Sequence, residues 1–302
     1  SLALKNDMKL NEYGVFSKEN DEYLAGSTEK EVYETIGIPF IPPELRENRG
    51  EIEAAQNKSL PILIELADIK GDLHIHSSWS DGINSIEEIA SAAEKQGYEY
   101  VGITDHSQSL KVAHGLSTDD VEKKCNQIKK INKNSTVTVL CGTECDILPD
   151  GSLDYPDETL KIFDFVGIGI HSHFKMDKKE ATNRILTALE NPNVTFLAHP
   201  TCRMIGHRDG FDLDMDALFE KAVKTNTFLE INAFPDRLDL NDINVKHAKE
   251  KGVKFVIGSD SHSLSHLSNI QYGVATARRG WLEKQQVLNT SSITELKKLL
   301  KG

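Results

Sequence analysis

The chain has 302 residues, 38% of them hydrophobic and 27% charged, with a formal net charge of −12 at pH 7. That length suits one large domain or two smaller ones around a sizeable core, and the composition is that of an ordinary soluble globular protein. The acidic balance argues against a non-specific nucleic-acid binder, although bound cations would reverse the field locally. No apolar run approaches the roughly 18 residues of a membrane helix and no signal peptide opens the chain, so a cytoplasmic protein with no membrane partner is expected. Cys125, Cys141, Cys145 and Cys202 show no zinc-knuckle spacing and read as reduced, buried thiols.

Residues 1–43 differ in character from the rest of the chain. Residues 10–16 read as a strand after a short helix, and residues 28–36 as a helix capped by Thr28 or Ser27. Pro39, Pro42 and Pro43 then stop regular structure. The piece is too small to hold a core alone, and a chain opening on Ser1 rather than Met suits a fragment as well as a processed or engineered end. Residues 44–67 are charged and read as a helical linker. From residue 68 onward strands and amphipathic helices alternate, the signature of a parallel α/β architecture. The expected strands are 68–75, 98–104, 136–142, 164–170, 194–198, 228–231 and 254–258. The expected helices include 85–96, 118–130, 178–190, 215–224 and 241–251.

The first of these strands carries His74 and His76. Residues two apart on a strand share a face, so both imidazoles can converge on one ion. Asp81 follows in a turn closed by Gly82. A lone His-x-His is weak evidence; the pattern repeated along the chain is stronger. In a β/α barrel, functional groups gather where strands end and loops begin. The second strand ends in Asp105-His106, the third in Glu144, the fourth in His171, the fifth in His199-Pro200 and the seventh in Asp260-Ser261-His262. Only the sixth, ending Glu230-Ile231-Asn232, offers no comparable ligand. His173, two residues from His171, competes with it for the same role. Nine candidates result: His74, His76, Asp81, His106, Glu144, His171, His199, Asp260 and His262. That is too many for one ion and suits two or three. Imidazoles and carboxylates without thiolate point to zinc, manganese or iron.

The strings Gly71-Asp72-Leu73-His74-Ile75-His76-Ser77, Ile103-Thr104-Asp105-His106-Ser107 and Ala198-His199-Pro200-Thr201 resemble the polymerase and histidinol phosphatase (PHP) domain. With Pro235-Asp236-Arg237-Leu238-Asp239-Leu240 and Thr276-Ala277-Arg278-Arg279-Gly280-Trp281-Leu282, the resemblance is to the PHP domain of family X DNA polymerases. Leu10 to Gly14 and Ile41 to Arg46 resemble the end of that polymerase's thumb and the linker beyond it. The resemblance implies a distorted seven-stranded TIM-like β/α barrel over residues 68–302, behind a short α+β thumb-like segment over residues 1–43. It implies three divalent ions. The first falls to His74, His76, Glu144 and Asp260, the second to Asp81, His106 and His262, and the third to Glu144, His171 and His199, with Glu144 bridging. His171 is thereby preferred to His173. Arg203 matches an arginine able to hold a phosphate. Cys202 stands where a glycine is usual and Phe234 where an asparagine is usual, both beside the expected pocket.

The implied chemistry is phosphodiester hydrolysis at DNA 3′ ends, a 3′–5′ exonuclease with related end trimming or abasic-site cleavage in DNA repair. His74, His76, Glu144, Asp260 and Arg203 would serve catalysis. Arg203, Arg237, Arg278, Arg279 and Lys111 would contact phosphates, and His114 is a candidate general acid. A polymerase domain in cis would carry nucleotide addition, which this chain alone should not perform. Two rival readings are a small-molecule phosphatase of the histidinol phosphatase type and a metal-stabilised structural module of the polymerase.

Overall fold

The computed structural model describes residues 2–300. It divides into two compact units, Ser1–Ile62 and Leu63–Gly302. In the first, helix α1 (Leu2–Lys5) precedes strands β1 (Met8–Asn11), β2 (Gly14–Ser17) and β3 (Tyr23–Ala25), an antiparallel sheet in that order, followed by α2 (Glu29–Thr35) and α3 (Glu51–Gln56). The single strand expected over 10–16 is a hairpin instead, with Asn11 opposite Gly14. The Asn11 side chain accepts from the Tyr13 backbone N–H at 2.9 Å, an Asx turn that reverses the chain. Thr28 caps α2 as expected. Arg46 staples the unit: its guanidinium lies over the Tyr33 and Phe40 rings and forks onto Glu29 at 2.9 and 2.8 Å. The stretch expected as a helical linker holds one α-helix, α3, capped at Asn57, and short 3-10 turns at either end; Pro61 bars a longer helix.

The second unit alternates β4 (Gly71–Ile75), α4 (Ile86–Lys95), β5 (Tyr100–Ile103), α5 (Thr118–Ile131), β6 (Thr138–Asp146), α6 (Asp157–Leu160), β7 (Phe165–Gly169), α7 (Lys178–Ala188), β8 (Phe196–Leu197), α8 (Met215–Thr225), β9 (Phe228–Asn232), α9 (Asp242–Glu250), β10 (Phe255–Gly258), α10 (Ile270–Arg279) and α11 (Ile293–Leu299). Among the described residues its seven strands form one parallel sheet in chain order from β4 to β10. A parallel bridge between Ile75 and Ser261 brings the two edges together, closing a barrel. Nearer the start of β4, a side chain replaces the ladder. The buried Asn289 amide donates to Gly71 O (2.8 Å) and Ile257 O (2.9 Å) and accepts from Ile257 N–H (3.0 Å).

The helices start where short polar side chains can satisfy unpaired N–H groups. Ser85, Ser117, Asp177, Asp214 and Asn241 cap α4, α5, α7, α8 and α9. Each helix lays an apolar stripe on the sheet: Ile86, Ile89, Ala90 and Ala93 of α4 are buried at i, i+3, i+4 and i+7. Inside the barrel a separate cluster holds Leu73, Tyr100, Leu140, Phe165 and Phe196. A Cβ on Gly142 would lie 2.4 Å from the Phe165 ring, and one on Gly167 would lie 2.5 Å from the Phe196 ring. Two glycines therefore open the space the rings fill.

Two of the four cysteines depart from the expected thiols. Cys125 of α5 and Cys141 of β6 form a disulfide with Cα atoms 5.5 Å apart. Their spacing of 16 residues carries no motif; packing of the helix on the strand brings them together. Cys145 and Cys202 are free and buried. Among the described residues no helix is long and apolar enough to cross a membrane.

Candidate metal centre

All nine candidate side chains meet at the end of the barrel where the strands finish. His74 is the fourth residue of β4, and His76 comes just past its end. Because i and i+2 share a face, both point inward, with ring centroids 5.2 Å apart. Glu144 does not follow the third strand as expected but lies within it, since β6 runs on to Asp146. It projects to the centre of the basin. Glu144 Oε2 lies 3.3 Å from His74 Nε2, 3.4 Å from His76 Nε2 and 3.4 Å from His106 Nδ1. Glu144 Oε1 lies 3.0 Å from His171 Nε2 and 2.6 Å from His199 Nε2. One carboxylate thus faces two groups of imidazoles with different oxygens.

Asp260 Oδ1 is 3.5 Å from His74 Nε2 and 3.3 Å from His76 Nε2. Asp81, on the turn after β4, faces His76 at 3.5 Å, His106 at 3.6 Å and His262 at 3.5 Å. His262 stacks on His76 at 4.2 Å. His173 is exposed and bonds only its neighbour Ser172 among the described contacts. Backbone strain collects here: His199 and Asp260 have φ of 29° and 53°, a region costly for side-chain-bearing residues and frequent at functional sites.

Glu144 Oε1 is within hydrogen-bond reach of His171 and His199, but the contacts of 3.3 to 3.6 Å suit an ion better than hydrogen bonds. Two ligand atoms each about 2.1 Å from one ion in a tetrahedral shell lie about 3.4 Å apart. A hydrogen bond prefers ~2.9 Å and is lost near 3.6 Å. Among the described residues, His74 Nε2, both ring nitrogens of His76 and His106 Nδ1 are buried with no hydrogen-bond partner. Such orphaned donors or acceptors are expensive unless something else engages them. Three overlapping groups have ligand atoms within 4.8 Å of one another: His76, Asp81, His106 and His262; His74, His76 and Asp260; and His106, Glu144 and His171. The donor set fits divalent ions.

Electrostatics agree. Burial opposes charge on His74, but Glu230, Asp260 and Glu144 outweigh it and hold its pKa well above the ordinary value. Burial likewise opposes charge on His171 and His262, yet neighbouring carboxylates carry both to about 9. His106 moves the other way, down to about 3, through burial and the charge of His76. Burial works against the charged carboxylate of Glu144, but the surrounding imidazoles keep its pKa well below the usual carboxylate range.

Around the ligand atoms stands a layer of side chains that sequence reasoning did not single out. Strand β9, read as offering nothing, supplies Glu230, fully buried and 2.6 Å from His74 Nδ1. A lone carboxylate in an apolar strand was the available signal, since such a group is rarely buried without a partner. Asp146 meets His171 Nδ1 at 3.2 Å and accepts its backbone N–H at 3.0 Å. Asp105 accepts from Ser77 N–H (2.8 Å) and Ser80 Oγ (2.8 Å), fixing the turn that carries Asp81, and pairs with buried Lys124 at 3.3 Å. Asn232 donates to Asp260 Oδ2 at 3.1 Å.

The expected phosphate contacts separate. Arg237 enters the basin, 3.2 Å from Asp260 Oδ2. Arg203 instead clamps the loop ahead of it, donating to Arg237 O at 2.6 Å and to Leu238 O. Arg278 and Arg279 are not brought to the basin. They pair with Glu65 at 2.6 Å and Asp242 at 3.2 Å, in the last turn of a helix running back from the rim. Val287, a few residues on, bridges Phe255 where β10 begins. The physical reason is helix direction: a helix after a parallel strand ends at the opposite mouth. Lys111 and His114 lie exposed on the loop after β5. Cys202 Sγ lies 3.9 Å from His199 Nδ1, and burial pushes its thiol up to about 12. Phe234 is half-buried with its ring edge-on to His266.

Fold and basin together define a class: a parallel β/α barrel whose strand ends seat a cluster of metal-competent imidazoles and carboxylates. The PHP domain model matches residues 72–297, and the chain belongs to the PHP domain family. A model described as the DNA polymerase beta thumb matches residues 1–47. The chain is 44% identical over 301 residues to the DNA polymerase/3′-5′ exonuclease PolX of Bacillus subtilis (strain 168), covering 99% of this chain and 52% of that protein. It therefore spans about half the length of that relative. It is 30% identical over 200 residues to a "Probable phosphatase" of Acetivibrio thermocellus, covering 63% of this chain and 78% of that protein. One solved structure, the "putative histidinol phosphatase hisK from Listeria monocytogenes", superposes with a TM-score of 0.54 at 16% identity, covering 66% of this chain and 97% of that one. That likeness concerns the fold alone.

Proposed function

We propose that the chain is a metal-dependent phosphodiesterase acting on DNA 3′ ends, the 3′–5′ exonuclease portion of a family X polymerase whose polymerase domain lies in cis. The observation that carries this reading is Glu144, with its two oxygens each facing a different set of imidazoles, joined to a chain-long identity with the B. subtilis protein. Three divalent ions, zinc, manganese or iron, would be held: the first by His74, His76, Glu144 and Asp260, the second by Asp81, His106 and His262, and the third by Glu144, His171 and His199. Bound there, they would acidify water and neutralise phosphate charge.

The chain's own residues do the rest. Glu144 ties the two sides of the basin together. Arg237 presents a guanidinium beside Asp260, where burial works against its charge and Asp260 and Glu144 favour it; a phosphate oxygen entering the basin meets that cation. Arg203 acts on the substrate through Arg237, by fixing its backbone. The work on DNA would be done in the cytoplasm.

A second reading, small-molecule phosphatase, is favoured by the match to phosphatases over most of their length. A 3′-labelled oligonucleotide and histidinol phosphate, offered separately to the metal-loaded chain, decide between them. Stepwise release of nucleotides is expected. Monoester turnover with the oligonucleotide intact would overturn the exonuclease reading.

A further inference from the structure

A carboxylate outside the nine candidate ligands holds two of them in place. Glu230 is completely buried in β9. Its Oε1 lies 2.6 Å from His74 Nδ1. Its Oε2 accepts from the His199 backbone N–H at 2.7 Å and from Asn232 Nδ2 at 3.1 Å. The same Asn232 amide donates to Asp260 at 3.1 Å. Space for the carboxylate is made by Gly258 of the adjacent strand, where a Cβ would stand 2.2 Å from Glu230 Oε1.

Three donors converge on two oxygens. Only a carboxylate accepts at both ends; a glutamine has one acceptor oxygen, and its NH2 would confront a backbone N–H. In the neutral ring that an ion requires, acceptance by Glu230 keeps the His74 proton on Nδ1. That leaves Nε2 bare, buried and without a hydrogen-bond partner among the described residues, aimed at Glu144 and Asp260. A ring nitrogen that binds an ion must be bare, and a carboxylate behind the ring both selects that tautomer and raises its basicity.

We propose that Glu230 is the positioning residue of the metal basin: it sets the tautomer and orientation of His74 and, through the His199 backbone and Asn232, holds the strands on either side of the basin in one register. This rests on the metal-dependent reading above and adds a residue to it. Glu230 touches neither ion nor substrate; it acts through His74, His199 and Asn232. The consequence is coupling. The position served by His74 and Asp260 and the position served by His199 share one carboxylate as their common support.

The test is metal binding, read apart from activity. Wild type and Glu230→Gln are stripped of metal and titrated with zinc and with manganese by calorimetry, with stoichiometry by elemental analysis and folding by circular dichroism and thermal unfolding. The expected result is a folded variant whose tightest ion is bound roughly 10–100-fold more weakly, the range for losing such a supporting partner. Equal affinity in a folded variant overturns the proposal. Should the variant fail to fold, the wild type still decides: in the zinc-loaded chain, nitrogen chemical shifts should show His74 Nδ1 protonated and Nε2 coordinated. The opposite tautomer overturns the proposal. A wild-type chain that takes up no ion sinks the metal-dependent reading itself, and this proposal with it; ion uptake by wild type together with an indifferent variant sinks only the role given to Glu230.

Discussion

The two mouths of the barrel are built on opposite principles. At the mouth where the strands begin, a side chain stands in for missing backbone pairing. Asn289 makes three hydrogen bonds where the sheet lacks a ladder, and the interior is filled by Phe165 and Phe196 against glycines. At the other mouth, imidazole nitrogens of His74, His76 and His106 are buried with no hydrogen-bond partner among the described residues, and the backbone is strained at His199 and Asp260. A protein interior tolerates such groups only when another partner engages them or function requires them. On the function proposed above, the first mouth would carry stability and the second chemistry, and variants at the two ends should fail in different ways.

The largest effect belongs to Asp260→Ala. It removes an oxygen 3.3 to 3.5 Å from two imidazoles. Oligonucleotide hydrolysis should fall roughly 10²–10³-fold or more, with bound metal reduced per folded molecule. A variant that keeps its rate would erase the distinction between the mouths. The reverse pattern is expected of Gly167→Ala. Its methyl would press on the Phe196 ring at 2.5 Å and destabilise the fold by about 1–3 kcal/mol, read by denaturant titration, while metal stoichiometry per folded molecule stays at the wild-type value. Asn289→Ala should behave alike. It leaves Gly71 O and both polar groups of Ile257 without their partner, at a cost of about 1–3 kcal/mol.

A smaller and more diagnostic effect concerns protons. His171 and His262 stand at about 9 in the absence of an ion because carboxylates favour their charged forms. At pH 7 they carry protons that an incoming ion must displace, so loading should release protons. As the pH rises through about 9 these two imidazoles lose their protons and their share of the release should fade. Calorimetry in buffers of different ionisation heat measures this directly; release that does not change with pH would remove these two residues from the ion sites. The smallest effect is expected of Arg279→Ala. Its ion pair with Asp242 is partly exposed, so stability should change by no more than about 0.5 kcal/mol. Hydrolysis should not change at all, in contrast to a residue inside the basin.

How much of this was legible in the chain depended on the range of the interaction concerned. Apolar runs interrupted by capped, amphipathic stretches were enough to place the seven parallel strands within a few residues, because strand and helix periods are local properties. That the nine candidate side chains would converge was legible for the same reason. All but Asp81, which sits on the turn after β4, stand at or just beyond an apolar run, and in a parallel barrel those ends share one mouth. The hairpin at Asn11–Gly14 was missed because a turn of two residues can hide inside one apolar window. Arg278 and Arg279 were misplaced because the sequence does not say at which mouth a helix finishes until the barrel is assembled.

The sequence alone therefore determined the order of elements and the kinds of side chain available at their ends, since both follow from near-neighbour spacing along the backbone. Tertiary structure decided which groups face one another: the disulfide of Cys125 with Cys141, Glu230 behind His74 across 156 positions of chain, and Arg203 holding the loop of Arg237. Those contacts depend on barrel closure, which sets distances of a few ångströms between residues that no periodicity connects.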